Sequence, residues 1–147
     1  MVSTAVDVTQ VLLTVAVLSF GVVAAAADLN RTHACNPLWT AHARFHVVWQ
    51  TLTHMGVSLV ALYLIWLDSA DPRERFLLVA ALCGCVLVGF ASAALLMRAY
   101  GGSLTDPNGY PPIQRRIAGR LISLDFNVLL FSTAAVVLLS ALIAILQ

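Results

Sequence analysis

The chain has 147 residues, of which 61% are hydrophobic and 10% are charged, and its formal net charge is +1. A soluble domain usually carries about a quarter charged residues, so one small core cannot bury this much apolar side chain. The composition therefore predicts a protein whose solvent is lipid, and the near-zero net charge argues against nucleic acid as a partner.

Four uncharged runs have about the length that a helix needs to cross a bilayer, and they cover residues 8–27, 47–67, 76–97 and 126–146. In lipid every backbone polar group must be satisfied within its own segment, so each run is predicted to be a helix. From Ile113 onwards apolar residues share one helical face, which predicts that the fourth helix begins near Pro112.

The sequence thus predicts an all-α, polytopic membrane protein, an antiparallel bundle of four transmembrane helices. A single domain covers residues 1–147, with helices at about 8–27, 41–67, 73–97 and 113–146. The chain has no lysine, and six of its eight arginines fall in the first and third loops. The positive-inside rule therefore predicts a multi-pass protein of the cell membrane with those loops in the cytoplasm and both termini outside.

All four histidines lie between Asp28 and His54, in a polar segment that leads into the second helix. His42 and His46 are four residues apart and so share one helix face, and Gln50 continues their strip. Polar strips in membrane helices usually face the bundle interior or a cavity, which predicts acid–base or ligand-binding roles for both histidines. The alternative is that they only form hydrogen bonds to neighbouring helices.

The predicted topology brings the first loop to the same membrane face as the third loop and the start of helix four. On that face Asp125 is predicted to be a buried acid inside an apolar helix, where it could donate or accept a proton. Asn127 lies about 200° round the helix from it and should face another side. In the alternative reading Asp125 simply pairs with a loop arginine. The expected catalytic residues are His42, His46 and Asp125, and the expected substrate-binding residues are Asp28, Asn30, Arg44, Trp49, Gln50 and Asn127.

No cofactor is assigned. The histidine pair is a possible half-site for zinc, copper or iron, but no glutamate accompanies it, and most such pairs bind no metal. A divalent metal, if bound, would be held by His33, His42 and His46.

Small residues recur at every fourth position of the third helix, a spacing that lets two helix backbones approach closely. This stripe is predicted to pack against another helix, either within the chain or in a homo-oligomer. It comprises Ala81, Cys85, Gly89 and Ala93.

The run NRTHACNPLWTAHARFH, residues 30–46, resembles the signature of a small family of uncharacterised four-helix integral membrane proteins from bacteria and fungi. The resemblance covers most of the chain but implies no activity. In architecture alone the chain is similar to the emopamil-binding sterol isomerases, membrane bundles in which buried acidic and histidine residues move protons. It also has about the length of the four-helix glutathione-metabolising membrane enzymes. Their arginine-asparagine-glutamate pattern is missing, since the only glutamate, Glu74, lies in another loop.

The sequence therefore favours a membrane-embedded enzyme that acts on a lipophilic small molecule by proton transfer, as an isomerase or cyclase does. The alternative is a non-enzymatic protein that binds lipid or metal, or a subunit of a membrane complex.

Overall fold

The computed structural model describes residues 7–68 and 70–147, so residues 1–6 and 69 of the predicted domain lie outside the described residues. The described chain is mostly helical, and four of its helices are long and apolar enough to cross a membrane. They are α1 (Val8–Asp28), α2 (Ala41–Trp66), α3 (Arg73–Tyr100) and α4 (Phe126–Leu146). The prediction of four such helices is confirmed.

Helix α1 begins with a capping box. Asp7 accepts a hydrogen bond from the backbone N–H of Thr9 at 2.9 Å, and the Gln10 side chain accepts one from the N–H of Asp7 at 3.0 Å. The amide Nε2 of Gln10 also donates to the carbonyl oxygen of Ile65 at 3.2 Å. This bond places the beginning of α1 beside the end of α2.

The core lies where the four helices meet, and its side chains are almost entirely apolar. Its largest fully buried apolar members include Leu13, Val17, Phe20, Ile65 and Val79. The outer helix faces are apolar as well, and Leu95 is 85% exposed. A surface this apolar agrees with the composition, from which a lipid environment of the helices is predicted.

The small-residue stripe of α3 lies on the outside of the bundle, because all four of its residues are exposed. The stripe therefore does not pack within the chain, and contact with a second copy stays a prediction.

Helix α1 contains a π-helical turn, Ser19–Val23, that packs against α2. A Cβ atom on Gly21 would collide with the Oγ atom of Ser58. Only glycine fits this contact without displacing α2. Such π-helical turns are frequent at functional sites, and this one ends at Val23, where the cavity described below begins.

The prediction of a helix from residue 113 is wrong for residues 113–124. They form an antiparallel hairpin of β1 (Ile113–Ile117) and β2 (Arg120–Leu124). The two-residue turn between the strands has positive φ at Ala118 and Gly119 (48° and 77°), as a tight hairpin turn requires. Glycine would weaken a helix interior by about 1 kcal/mol but suits this turn. Helix α4 begins only at Phe126.

Candidate functional site

The first loop (residues 29–40) is held against the third loop (residues 101–112) by a set of hydrogen bonds that we call the interloop cluster, formed by Asn36, Trp39, Asp106 and Asn108. Asn36 is fully buried. Its Nδ2 atom donates to Asp106 Oδ1 at 3.0 Å, and its Oδ1 atom accepts from Asn108 Nδ2 at 3.2 Å. These contacts confirm that the two loops lie on the same face of the bundle.

Asp106 accepts hydrogen bonds from both loops. The Trp39 indole donates to its Oδ2 atom at 2.8 Å, and the backbone N–H of Asn108 donates to its Oδ1 atom at 2.9 Å. These donors, the indole first and then the Asn108 N–H and the Asn36 amide, lower the pKa of Asp106 from its ordinary value. The negative charge of this carboxylate is therefore part of what holds the loops together.

Asn30, a predicted substrate-binding residue, instead ends α1 and links it to the third loop. Its Nδ2 atom donates to the carbonyl oxygens of Ala26 and Ala27 and to the Tyr110 hydroxyl at 3.1 Å. Its Oδ1 atom accepts from the Thr32 hydroxyl at 2.6 Å. The two N–H groups of Nδ2 are shared among these three acceptors, so the side chain is fully engaged in shaping the loops.

Beneath the two loops lies a cavity of about 560 Å³, within the range of small-molecule sites. Its walls are the end of α1 and the beginning of α4, and its roof comes from the third loop and His33. The apolar wall residues are Val23, Ala26, Ala27, Phe126, Leu129 and Leu130. Polar residues line the end of the cavity that lies under the loops and beside the start of α4: His33, Asp106, Tyr110, Asp125 and Asn127.

Asp125 does not lie inside an apolar helix, and that prediction is wrong. It is the N-cap of α4, and its Oδ1 atom accepts from the backbone N–H of Asn127 at 2.8 Å. An N-cap residue has an extended backbone, so the predicted angle of about 200° round the helix between Asp125 and Asn127 does not apply. Both residues line the cavity.

The proton position on His33 follows from its neighbours. The Thr32 hydroxyl gives its proton to Asn30 Oδ1, so it can only accept at the 2.7 Å contact with His33 Nδ1. His33 is therefore protonated at Nδ1, and its Nε2 atom is 4.0 Å from an oxygen of Asp28. Asp28, at the end of α1, is not among the residues that line the cavity, and its Oδ2 atom accepts from the Thr51 hydroxyl at 3.4 Å. A proton added to His33 would be balanced by the Asp28 carboxylate.

His42 and His46 lie on the outer face of α2, away from Asp125 and the cavity. Both are exposed, and their Nε2 atoms are 3.0 Å apart, so one ring donates to the other. His46 also lines a shallow surface groove with Trp49, Gln50, Thr53 and His54. The structure thus separates the predicted histidine pair, together with Trp49 and Gln50, from the predicted acid.

Arg44 is partly buried in the first turn of α2, and it is not among the residues that line the cavity. Within residues 7–68 and 70–147, no group of three His, Cys, Asp or Glu side chains is arranged to hold a metal ion. The three histidines predicted to hold such a metal are divided. His33 packs edge-on against Trp39 with ring centroids 5.3 Å apart, whereas His42 and His46 pack edge-on against each other at 4.4 Å.

Sequence reasoning missed the residues whose hydrogen bonds hold the roof of the cavity in place. Asn36, Trp39 and Asp106 stood out only as members of the polar first loop or of a turn-rich segment. Their pairing joins positions about 70 residues apart, which no local pattern reveals.

No protein-family model, curated protein or solved structure matches this chain. The resemblance of residues 30–46 to an uncharacterised membrane-protein family stays a prediction.

Proposed function

We propose that this chain is an antiparallel four-helix integral membrane protein that binds a lipophilic small molecule in the cavity beneath the interloop cluster. The observation that carries this proposal is the position of the cavity. Thr133 lines it seven residues beyond Phe126, so the cavity reaches about 10 Å into the membrane-spanning part of α4. A molecule bound there would have its apolar part among the helices and its polar part under the loops.

In this arrangement the first loop, the third loop and the hairpin lie at the cytoplasmic membrane surface. The hairpin supports this placement because it exposes both apolar and basic side chains. Ile117 and Leu121 are about 60% exposed, and Arg115, Arg116 and Arg120 are exposed beside them. Such a surface suits the boundary between acyl chains and headgroups.

The experiment compares lipid extracts of protein purified in mild detergent by mass spectrometry. In Thr133→Trp an indole would fill the cavity, whereas Val136→Trp places the same indole on the outer face of the same helix, where Val136 is 64% exposed. Wild type and Val136→Trp should retain the same discrete lipophilic molecule, and Thr133→Trp should lose it. Identical extracts from all three proteins would contradict the proposal.

Proton-transfer catalysis is the second candidate, because four titratable groups line the cavity: His33, Asp106, Tyr110 and Asp125. In this version they supply the acid–base groups, in place of the outward-facing His42 and His46. The test is to incubate the protein with its extracted ligand in deuterated water. Deuterium on a carbon atom of the ligand with wild type, but not with Asp125→Asn, would favour an enzyme over a binding protein.

A further inference from the structure

The polar end of the cavity is acidic. Asp106 and Asp125 both contribute carboxylates to its lining, and the described lining residues include none of the chain's eight arginines. The Asp125 carboxylate is partly buried at the end of an otherwise apolar cavity, so it acts at a lower effective dielectric constant than in water and its field on a bound group is stronger. The lining thus favours a positive group over a negative one.

Within the described part of the chain, neither carboxylate is paired with a basic side chain. Asp106 accepts hydrogen bonds from an indole, an amide side chain and a backbone N–H, all of them neutral. Asp125 accepts through Oδ1 from the backbone N–H of Asn127, and its Oδ2 atom has no hydrogen bond to a described residue. That oxygen is available to a donor on a ligand.

His33 offsets only part of this charge. Among the described lining residues it alone can carry a positive charge, and it acts on Asp106, where it adds to the hydrogen bonds, the Trp39 indole first, that lower the pKa of that carboxyl. The Nε2 atom of His33 is 4.0 Å from Asp28, which would balance a proton there. Asp125, in contrast, forms no ion pair with a basic side chain of a described residue, so its charge is the one that a ligand can balance.

We infer that the ligand of this cavity is a lipophilic amine, whose ammonium group lies against Asp125 Oδ2 and whose apolar chain runs between α1 and α4. This inference rests on the proposed function and adds the chemical class of the headgroup. A fatty acid or a phosphate ester would bring a second negative charge to the same oxygen and should bind poorly. An ammonium group forms a charge-assisted hydrogen bond there instead.

Three probes with the same twelve-carbon chain separate the headgroup from the chain: dodecylamine, 1-dodecanol and dodecanoate. Their equilibrium binding is measured at pH 7 on protein in phosphatidylcholine nanodiscs, with empty nanodiscs to subtract partition into lipid. Dodecylamine should bind wild type about tenfold more tightly than 1-dodecanol, the affinity change expected from one charged hydrogen bond, with dodecanoate weakest.

Asp125→Asn should remove most of the preference for the amine, and the variant should still fold because asparagine and aspartate cap helices about equally well. The matched control is Asp7→Asn, which makes the same change at the N-cap of α1, at the opposite end of the bundle. Asp7→Asn should bind all three probes as wild type does.

Each result decides between the claims. Dodecanoate or 1-dodecanol binding as tightly as dodecylamine would overturn the amine inference and leave the proposed function standing. A preference for dodecylamine that survives in Asp125→Asn would overturn the assignment to Asp125. Failure of all three probes to bind above empty nanodiscs would contradict the proposed function itself.

Discussion

Replacing Asn36 should loosen the roof of the cavity while leaving the four helices in place. Apart from its bond to Asp106, the side chain makes three neutral hydrogen bonds, to Thr32 O, Leu38 N and Asn108 Nδ2, at 2.8, 3.0 and 3.2 Å. At about 1 kcal/mol for each neutral bond and about 2 kcal/mol for the bond to the Asp106 carboxylate, Asn36→Ala should lower the free energy of unfolding by about 5 kcal/mol. Asn108→Ala removes one side-chain bond at an exposed position and should cost about 1 kcal/mol.

Two assays check this expectation. Thermal unfolding in mild detergent should rank the proteins as wild type, Asn108→Ala and Asn36→Ala, from most to least stable. Trypsin cleavage at Arg31, the exposed arginine of the first loop, should accelerate in the same order, because the loop opens more often. Asn36→Asp keeps the shape but turns an oxygen towards Asp106 Oδ1, so it should also be unstable. Wild-type melting and cleavage in both Asn36 variants would refute the role given to this side chain.

Four further predictions concern other parts of the molecule. Gly21→Ala should destabilise the bundle by about 1 to 3 kcal/mol through overpacking. Gly84→Ala is the matched control and should not destabilise it, because an added Cβ there has no neighbour within 4 Å. Equal melting temperatures of the two variants would contradict the close contact of α1 with α2. Because folding lowers the pKa of Asp106, its stabilising contribution should be complete above the ordinary value of about 3.9 and be lost as the pH falls below it. Between roughly pH 6 and pH 3, the melting temperature of Asp106→Asn should therefore depend less on pH than that of wild type. Parallel curves of melting temperature against pH would argue against this linkage. If the third helix pairs with a second copy, copper-catalysed oxidation should form a disulfide between exposed Cys85 residues, and monomer alone would count against that dimer. In a variant that keeps Cys35 as its only cysteine, this exposed residue should react with an impermeant maleimide only after cells are permeabilised. Reaction on intact cells would reverse the proposed orientation.

The helices were predictable because each is an apolar run of membrane-spanning length, and the spans that begin at Val8, Ala41 and Arg73 match the expected starting points. The hairpin was not, because Ile113, Ile117, Leu121 and Leu124 fit one helix face as well as strand positions. The decisive feature was Gly119, whose positive φ closes a tight turn.

The candidate site was only partly predictable, for two physical reasons. The sequence of a lipid-embedded helix does not say which side faces its neighbours, because apolar residues cover both sides. His42 and His46 consequently lie on the outer face rather than in the cavity. The role of Asp125 depended on where α4 begins, and an error of about a dozen residues turned an N-cap into a buried helical acid. Topology, in contrast, was enough to place the first and third loops together.

Photolabelling can locate a lipophilic molecule bound between the end of α1 and the beginning of α4. The purified protein in nanodiscs is labelled with a diazirine-bearing fatty alcohol, and the labelled peptides are mapped. We expect labels concentrated in residues 23–27 and 126–133 that excess unlabelled 1-dodecanol prevents. Labels spread over outer-face residues such as Leu95 and Leu139, and unaffected by the competitor, would contradict binding at this position.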